Sequence, residues 1–264
     1  MKLIYGTAWK QERTALLVEQ ALRTGFCGID TACQPKHYNE PGVGLGIVNS
    51  GIDRSKLFLQ TKYTSVRGQD PESIPYDPSS SLETQINKSL ETSLENLQTD
   101  YLDSLVMHSP MDTFEKTVEG WKIMQKFVHD GRVKQLGISN CYSIDYFVDL
   151  FNEVELKPTV LQNRFYADSG YDIELRKFCL LHGVTYQSFW TLSANPHLLQ
   201  NDLLLKLSKK YSVSSAVVLY RCLNEVGVTP ICGTKSSEHM KEDLNLMAFE
   251  ISKEEVDQVF KLME

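Results

Sequence analysis

The sequence has 264 residues, of which 42% are hydrophobic and 23% are charged, and this composition excludes an intrinsically disordered chain. The net charge of −7 at pH 7 comes without any basic block, so we expect no nucleic-acid partner. The longest unbroken apolar run, Ala216 to Tyr220, is far shorter than the roughly 20 residues of a membrane span, so we expect a cytoplasmic protein without membrane contact.

The six cysteines point to a reducing compartment. None of them forms a C-x-x-C pair, and the N-terminal residues lack the long apolar stretch of a signal peptide. We therefore expect reduced, mostly buried thiols. No set of His, Cys and Asp residues has the spacing of metal ligands, so we expect no metal site.

Short apolar runs alternate with amphipathic segments along the whole chain. Runs suited to buried parallel strands fall at about 4–7, 28–30, 57–62, 104–108, 133–139, 160–163, 185–189 and 229–232. Helical periodicity is clear in the segments 82–97 and 121–128. Glycines at positions 25, 131, 183 and 227 follow amphipathic stretches, where a left-handed residue typically ends a helix.

Eight strands that alternate with helices predict an α/β fold, the (β/α)8 barrel known as the TIM barrel. No Pro/Gly linker divides the chain, so we expect a single domain over residues 1–264. A doubly wound open sheet is the alternative. Its glycine-rich dinucleotide turn is absent after the first strand, and Gly42-Val43-Gly44-Leu45-Gly46 follows a loop instead.

Polar or ionisable residues stand at the carboxyl ends of most predicted strands. They are Asp30, Lys62, His108, Ser139 with Asn140, and Gln162 with Asn163, while the seventh strand ends in Phe189 and Trp190. In a TIM barrel these ends meet at one rim, where the active site lies. The sequence therefore predicts one chemically dense rim.

The second and third strands suggest acid–base chemistry. Asp30 and Lys62 lie on neighbouring strands, so an ion pair between them is geometrically natural. The only tyrosine between them is Tyr38, and a lysine ammonium near a phenol lowers the phenol pKa from its usual value of about 10. Such a tyrosine acts as a general acid toward a carbonyl, and His108 would hydrogen-bond the same oxygen. Each residue alone has an ordinary structural explanation, but together they predict a site.

These residues resemble the motifs of the aldo-keto reductases, NAD(P)H-dependent barrel enzymes. Asp30-Thr31-Ala32 is similar to the family's D-T-A segment, and the run from Tyr38 to Gly44 is similar to its Y-x-N-E-x-x-V-G. The strand before Lys62, the strand before His108 and Leu136-Gly137-Ile138-Ser139-Asn140 also match in order and context. The resemblance extends from Gly6-Thr7-Ala8-Trp9 to the last helix.

The resemblance implies a catalytic tetrad of Asp30, Tyr38, Lys62 and His108. Tyr38 would be the general acid, Lys62 would favour its phenolate and be held by Asp30, and His108 would polarise the carbonyl. Hydride would pass from the nicotinamide to the carbonyl carbon of a small-molecule substrate.

The resemblance also implies a cofactor site. Ser139, Asn140 and Gln162 would hold the nicotinamide carboxamide, and Phe189 would stack on the ring where relatives commonly carry Tyr. The adenosine end would lie against the segment after the eighth strand, at Gly233, Thr234, Lys235, Ser236, His239, Glu242 and Asp243. Lys235 and Ser236 would bind a 2′-phosphate and favour NADPH, whereas a one-residue shift would put Gly233-Thr234 there and leave NADH possible.

Three departures from the family pattern bear on substrate choice. Seven residues, Thr31 to His37, separate Asp30 from Tyr38, more than in many relatives. The loop 64–80 is long, carries three prolines and is expected to line the pocket. The loop after His108 is short, and the chain stops just after its last helix. We therefore expect an open pocket walled by Trp9 and Trp190 that favours aromatic or aliphatic carbonyls.

Two other functions remain open. One is an NADP(H)-binding regulatory or partner-binding protein with vestigial activity, since fold does not guarantee catalysis. The other is a Schiff-base aldolase that uses Lys62 as nucleophile. We expect a monomer, because no extra apolar element stands out in the sequence.

Overall fold

The computed structural model describes residues 1–263, and its centre is a closed barrel of eight parallel strands. The strands are β1 (Ile4–Gly6), β2 (Gly28–Asp30), β3 (Phe58–Tyr63), β4 (Ser104–Met107), β5 (Leu136–Ser139), β6 (Val160–Arg164), β7 (Thr185–Phe189) and β8 (Val228–Cys232). Each strand pairs with its sequence neighbours, and β1 closes the barrel by pairing with β8. The predicted (β/α)8 architecture is confirmed.

Helices surround this barrel. They are α1 (Thr14–Thr24), α2 (Glu40–Ser50), α3 (Leu82–Leu97), α4 (Phe114–His129), α5 (Ile144–Glu153), α6 (Ile173–His182), α7 (Pro196–Leu199), α8 (Asp202–Tyr211), α9 (Ser215–Glu225), α10 (Ser237–Leu244) and α11 (Lys253–Phe260). Among residues 1–263, none of these helices has the length and apolar character needed to cross a membrane. The glycines expected at helix ends, 25, 131, 183 and 227, all have positive φ.

Strand β5 is shorter than the apolar run suggested. The run predicts a strand from residue 133, but β5 begins at Leu136. Val133 forms only an isolated bridge with Leu102, and the continuous ladder of β5 starts three residues later. Apolar character alone therefore did not mark where the strand begins.

Glycine is required where α2 packs against α3. A Cβ on Gly44 would overlap the carbonyl oxygen of Asn96 and lie within 3.0 Å of the Leu97 backbone. The two helix backbones approach so closely that no larger side chain fits between them. This contact fixes α2, the helix that begins two residues after Tyr38.

Below the carboxyl-terminal rim, the barrel interior contains a layer of hydrogen-bonded amides. Gln60 and Gln162 each donate from Nε2 to Oδ1 of Asp30, at 2.7 and 2.9 Å. Both also donate to Oε1 of Gln187 on β7. All four side chains are almost inaccessible to solvent. The layer therefore ties the Asp30 carboxylate to strands β3, β6 and β7.

Candidate active site

The four residues of the expected tetrad meet at the carboxyl-terminal rim. Asp30 ends β2, Lys62 lies in β3, His108 follows β4, and Tyr38 lies in the loop before α2. Lys62 Nζ donates to Asp30 Oδ2 at 2.6 Å and to the Thr31 carbonyl at 2.8 Å. The Tyr38 ring centroid is 5.2 Å from Lys62 Nζ and 6.0 Å from the His108 ring. The proton-donating side chains of Lys62, Tyr38 and His108 therefore lie close together at the rim.

The lengthened loop before Tyr38 folds back over β3. Cys33 N–H donates to the Lys62 carbonyl at 3.1 Å, which anchors the loop along the strand. The N–H groups of His37 and Tyr38 both donate to the Gln34 carbonyl and close a turn. This turn directs the Tyr38 ring into the barrel mouth despite the extra residues.

The expected lowering of the Tyr38 pKa is wrong for this structure. Burial of the phenol raises the pKa of Tyr38 above its ordinary value, and the nearby Asp30 carboxylate raises it further. Burial also lowers the pKa of Lys62, which Asp30 opposes by its charge and hydrogen bond. Desolvation of the phenol and the nearby Asp30 charge thus outweigh the attraction of the Lys62 ammonium for a phenolate. Tyr38 is therefore protonated at neutral pH.

His108 is held as a neutral imidazole. Burial lowers the pKa of His108 to about 3, and the charges of Lys62 and His37 lower it as well. Its Nδ1 lies 2.6 Å from Thr64 Oγ1. When the Thr64 hydroxyl donates to Nδ1, the imidazole proton is on Nε2, so this nitrogen is a hydrogen-bond donor.

A cleft of about 860 Å³ opens above the tetrad. Asp30, Tyr38 and His108 reach its wall, whereas Lys62 lies behind them and does not. A nucleophilic lysine must contact its substrate, so this placement disfavours the Schiff-base alternative. Trp9 and Trp190 also line the cleft and are 51% and 48% exposed, as expected for the walls of an open site.

The structure places almost all of the predicted cofactor residues along this cleft. Ser139, Asn140, Gln162, Phe189, Gly233, Thr234, Lys235, His239, Glu242 and Asp243 line it. Ser236 does not. Its hydroxyl accepts the His239 N–H as the N-cap of α10, which is a structural use of that side chain.

The end of the cleft at Phe189 offers donors and acceptors that fit a primary carboxamide. Asn140, at φ 53°, projects its amide over the rim and donates to the His108 carbonyl at 2.8 Å. Ser139 Oγ donates to the Gln162 carbonyl and retains an acceptor lone pair. Gln162 Oε1 accepts no hydrogen bond from residues 1–263, since only its Nε2 is used. Phe189 supplies an aromatic face next to them.

At the other end of the cleft, two acidic residues already have partners. Glu242 accepts the Ser214 N–H at 2.9 Å, and Asp243 accepts from the Cys232 thiol at 2.9 Å. Burial raises the pKa of Asp243 to about 6. Lys235 has no carboxylate partner in the part of the chain that the structure describes, so its ammonium is available to an anion.

The cleft residues that sequence reasoning missed include three with ionisable side chains, Lys10, His37 and Arg164. Lys10 Nζ donates to the Gly233 carbonyl, and burial lowers the pKa of Lys10 to about 8. His37 packs against Trp9 with ring centroids 3.9 Å apart. Arg164 ends β6 and Lys10 lies four residues after β1, so a strand-end signal existed for Arg164 but not for Lys10.

The expectation that the loop 64–80 lines the pocket is wrong. None of its residues reaches the cleft, although Thr64 contacts His108. Tyr76 OH donates to the Thr64 carbonyl at 2.5 Å, and Gln69 Nε2 donates to the Cys33 carbonyl at 2.9 Å. These bonds hold the loop against the outside of the rim, where it supports the site from behind.

Residues 2–264 match the model of the aldo/keto reductase family. The chain is 31% identical over 243 residues to glyoxal reductase from Bacillus subtilis (strain 168), covering 92% of this chain and 80% of that protein. It is 31% identical over 249 residues to the NAD/NADP-dependent indole-3-acetaldehyde reductase of Schizosaccharomyces pombe, covering 92% and 81%.

The methylglyoxal reductase DkgA of Escherichia coli (strain K12) is 25% identical over 260 residues, covering 95% of this chain and 85% of that protein. Among solved structures, the chain is similar to an aldo/keto reductase from Brucella melitensis, with a TM-score of 0.83 and 28% identity. That match covers 99% of this chain and 94% of the other. Both comparisons extend over almost the whole barrel.

Proposed function

Since this chain belongs to the aldo/keto reductase family, we propose that it reduces an aldehyde or ketone to the alcohol with hydride from NADPH. The observation that carries the proposal is the convergence of Tyr38 and His108 on one wall of the cleft, above the Lys62–Asp30 ion pair. When bound, the nicotinamide cofactor supplies the hydride and the two electrons of the reaction.

The proton for the new alcohol comes from Tyr38. Its raised pKa keeps the phenol protonated at neutral pH, which is the form that a general acid needs for reduction. Neutral His108 donates a second hydrogen bond to the carbonyl oxygen and orients it toward Tyr38. Lys62 stabilises the phenolate that forms after proton transfer, and Asp30 holds Lys62 in place.

The residues for the cofactor divide into two groups. Ser139, Asn140 and Gln162 hold the carboxamide, and the Phe189 ring packs on the nicotinamide. Lys235, with Lys10 across Gly233, places positive charge at the adenosine end. Two cations there favour the 2′-phosphate of NADPH over NADH.

The substrate is a small aldehyde with an apolar or aromatic body. Trp9 and Trp190 provide half-exposed aromatic walls, and one similar protein carries the name indole-3-acetaldehyde reductase, while others are named for the small aldehydes glyoxal and methylglyoxal. An open mouth places little restriction on the far end of the substrate. That the enzyme works as a monomer stays a prediction.

The test is Tyr38→Phe, assayed by the loss of NADPH absorbance with aromatic, aliphatic and sugar aldehydes. Removing the general acid lowers kcat by roughly 100-fold or more. Tyr146→Phe is the matched control, because its hydroxyl bonds Thr117 outside the cleft. NADPH binding without wild-type turnover would refute the proposal and favour the regulatory alternative. Activity that survives Tyr38→Phe would reassign the acid.

A further inference from the structure

Arg164 is a cleft residue that the proposed reaction does not use. It ends β6 in register with Phe189 on β7. Gln162, two residues earlier, reaches Asp30 inside the barrel, so by strand alternation Arg164 emerges on the same side, one layer higher. Arg164 lines the same cleft as Tyr38 and His108.

The guanidinium of Arg164 is stacked between aromatic rings. Its Cζ lies 4.3 Å from the ring centroid of Trp190 and 5.2 Å from that of Tyr166. Trp190 is itself held at φ 55°, a left-handed conformation that directs it into the mouth of the cleft. Stacking fixes the plane of the guanidinium without using its N–H donors.

Those donors have no counter-ion within residues 1–263. Five other arginines form ion pairs with carboxylates: Arg23, Arg54, Arg67, Arg132 and Arg221. Arg164 forms none, and its Nε is buried without a hydrogen-bond partner in the described structure. A buried donor on a permanent cation is costly unless something pairs with it. Because Arg164 also lines the cleft, an anion bound there is able to supply the partner.

We propose that Arg164 binds an oxyanion in the cleft, with Trp190 as the platform that orients its guanidinium. Carboxylate and phosphate share the geometry that a planar guanidinium recognises. Two sources are possible: an acidic group on the substrate, or the phosphate of the cofactor nearer the nicotinamide. Lys10 and Lys235 lie near Gly233, after β1 and β8, whereas Arg164 ends β6, so Arg164 addresses a separate anion or another side of the same one.

The part of this inference that concerns a substrate anion rests on the proposed function. Measurements of ligand binding test it without turnover. The variant is Arg164→Met, which keeps an apolar stem against the rings and removes the charge. Arg132→Met is the matched control, since that guanidinium also stacks on an aromatic ring, Phe127, at 4.8 Å but pairs with Asp130 outside the cleft. Arg164→Lys retains the charge without the fork, and we expect partial recovery.

The first readout is the Kd of NADPH from quenching of tryptophan fluorescence. The second is kcat/KM for 4-carboxybenzaldehyde relative to benzaldehyde. If the cofactor supplies the anion, Arg164→Met weakens NADPH binding by roughly 10- to 100-fold and leaves the substrate ratio unchanged. If the substrate supplies it, the preference for the carboxylate falls by a similar factor and the Kd stays the same.

No change in either readout, or equal changes in Arg132→Met, would overturn the proposal. If the wild type reduces no aldehyde, the proposed function fails by itself. The Kd values of NADPH and of 4-carboxybenzaldehyde as a ligand still decide the role of Arg164. The two failures are therefore distinguishable.

Discussion

Asp30→Asn is the sharpest test of the buried ion pair. The Asp30 carboxylate accepts from Lys62 at 2.6 Å, Gln60 at 2.7 Å and Gln162 at 2.9 Å. An asparagine of the same shape keeps one acceptor oxygen and turns an amide N–H₂ toward groups that are already donors. The substitution leaves Lys62 without a counter-ion in a site where its side chain is only 1% exposed.

Breaking one side of such a pair costs about 3–5 kcal/mol in free energy of unfolding. Solvent screening removes little of this, because both side chains are buried. For a chain of this length each kcal/mol shifts Tm by roughly 2–4 °C, so we expect Tm to fall by about 10 °C. The loss of kcat accompanies it, since Lys62 no longer stabilises the Tyr38 phenolate.

The cost of Asp30→Asn in free energy of unfolding depends on pH, and the direction follows from the Lys62 pKa. Burial lowers the pKa of Lys62 below its ordinary value, and without Asp30 that pKa falls further. Between the folded pKa and the unfolded value of about 10.4, the unfolded chain binds more protons, so raising the pH stabilises the folded variant. The Lys62 pKa is lowered less in the wild type than in the variant, so the stability gap between wild type and Asp30→Asn narrows as the pH rises from the folded pKa of the variant to that of the wild type.

Urea unfolding at several pH values measures this gap. Asp103→Asn is the control, because Asp103 pairs with Arg54 at 2.8 Å and with the 58% exposed Lys134 outside the cleft. Its cost does not change with pH over the same interval, because Asp103 raises the pKa of Lys134 above its ordinary value and an arginine stays charged. A cost below about 1 kcal/mol for Asp30→Asn, or a gap independent of pH, would refute the ion-pair reasoning.

Three further predictions concern His108, Lys235 and Gly44. Because burial lowers the pKa of His108 to about 3, His108 contributes no inflection to kcat/KM for reduction between pH 5 and 8, and an inflection near 6.5 that His108→Gln removes would contradict the neutral imidazole. Lys235→Met raises the KM for NADPH about tenfold and leaves NADH nearly unchanged; equal changes would place the 2′-phosphate elsewhere. Gly44→Ala lowers the free energy of unfolding by about 1–3 kcal/mol in urea, since its Cβ meets the backbone of α3, and a loss under 0.5 kcal/mol would rule out that contact.

Most of the barrel was predictable, because each buried strand leaves a local signal. The apolar runs before Asp30, Lys62 and His108 located β2, β3 and β4 and placed the three polar side chains at one rim. Glycines with positive φ at the helix ends marked the boundaries between successive βα units. These signals depend only on neighbouring residues, so a single sequence is sufficient to read them.

Properties set by three-dimensional burial were not predictable. The sign of the Tyr38 pKa shift depends on how deeply the phenol is enclosed and on the nearby Asp30 charge. The loop 64–80 follows the outside of the rim because Tyr76 and Gln69 bind distant carbonyls, which no local pattern marks. Arg164 was overlooked because an arginine at a strand end has significance only once its lack of a carboxylate partner is seen.

The amide layer beneath the rim restricts which substitutions the sequence can accept during evolution. Gln187 contacts no member of the tetrad, yet its Oε1 accepts from Gln60 and Gln162, the two amides that fix Asp30. An apolar residue at 187 strands two buried N–H groups at once, whereas changing all three glutamines together leaves no orphaned amide but removes both amide donors from Asp30 Oδ1. The effects of substitutions at these three positions are therefore not additive. We therefore expect Gln60, Gln162 and Gln187 to change together during evolution rather than one at a time.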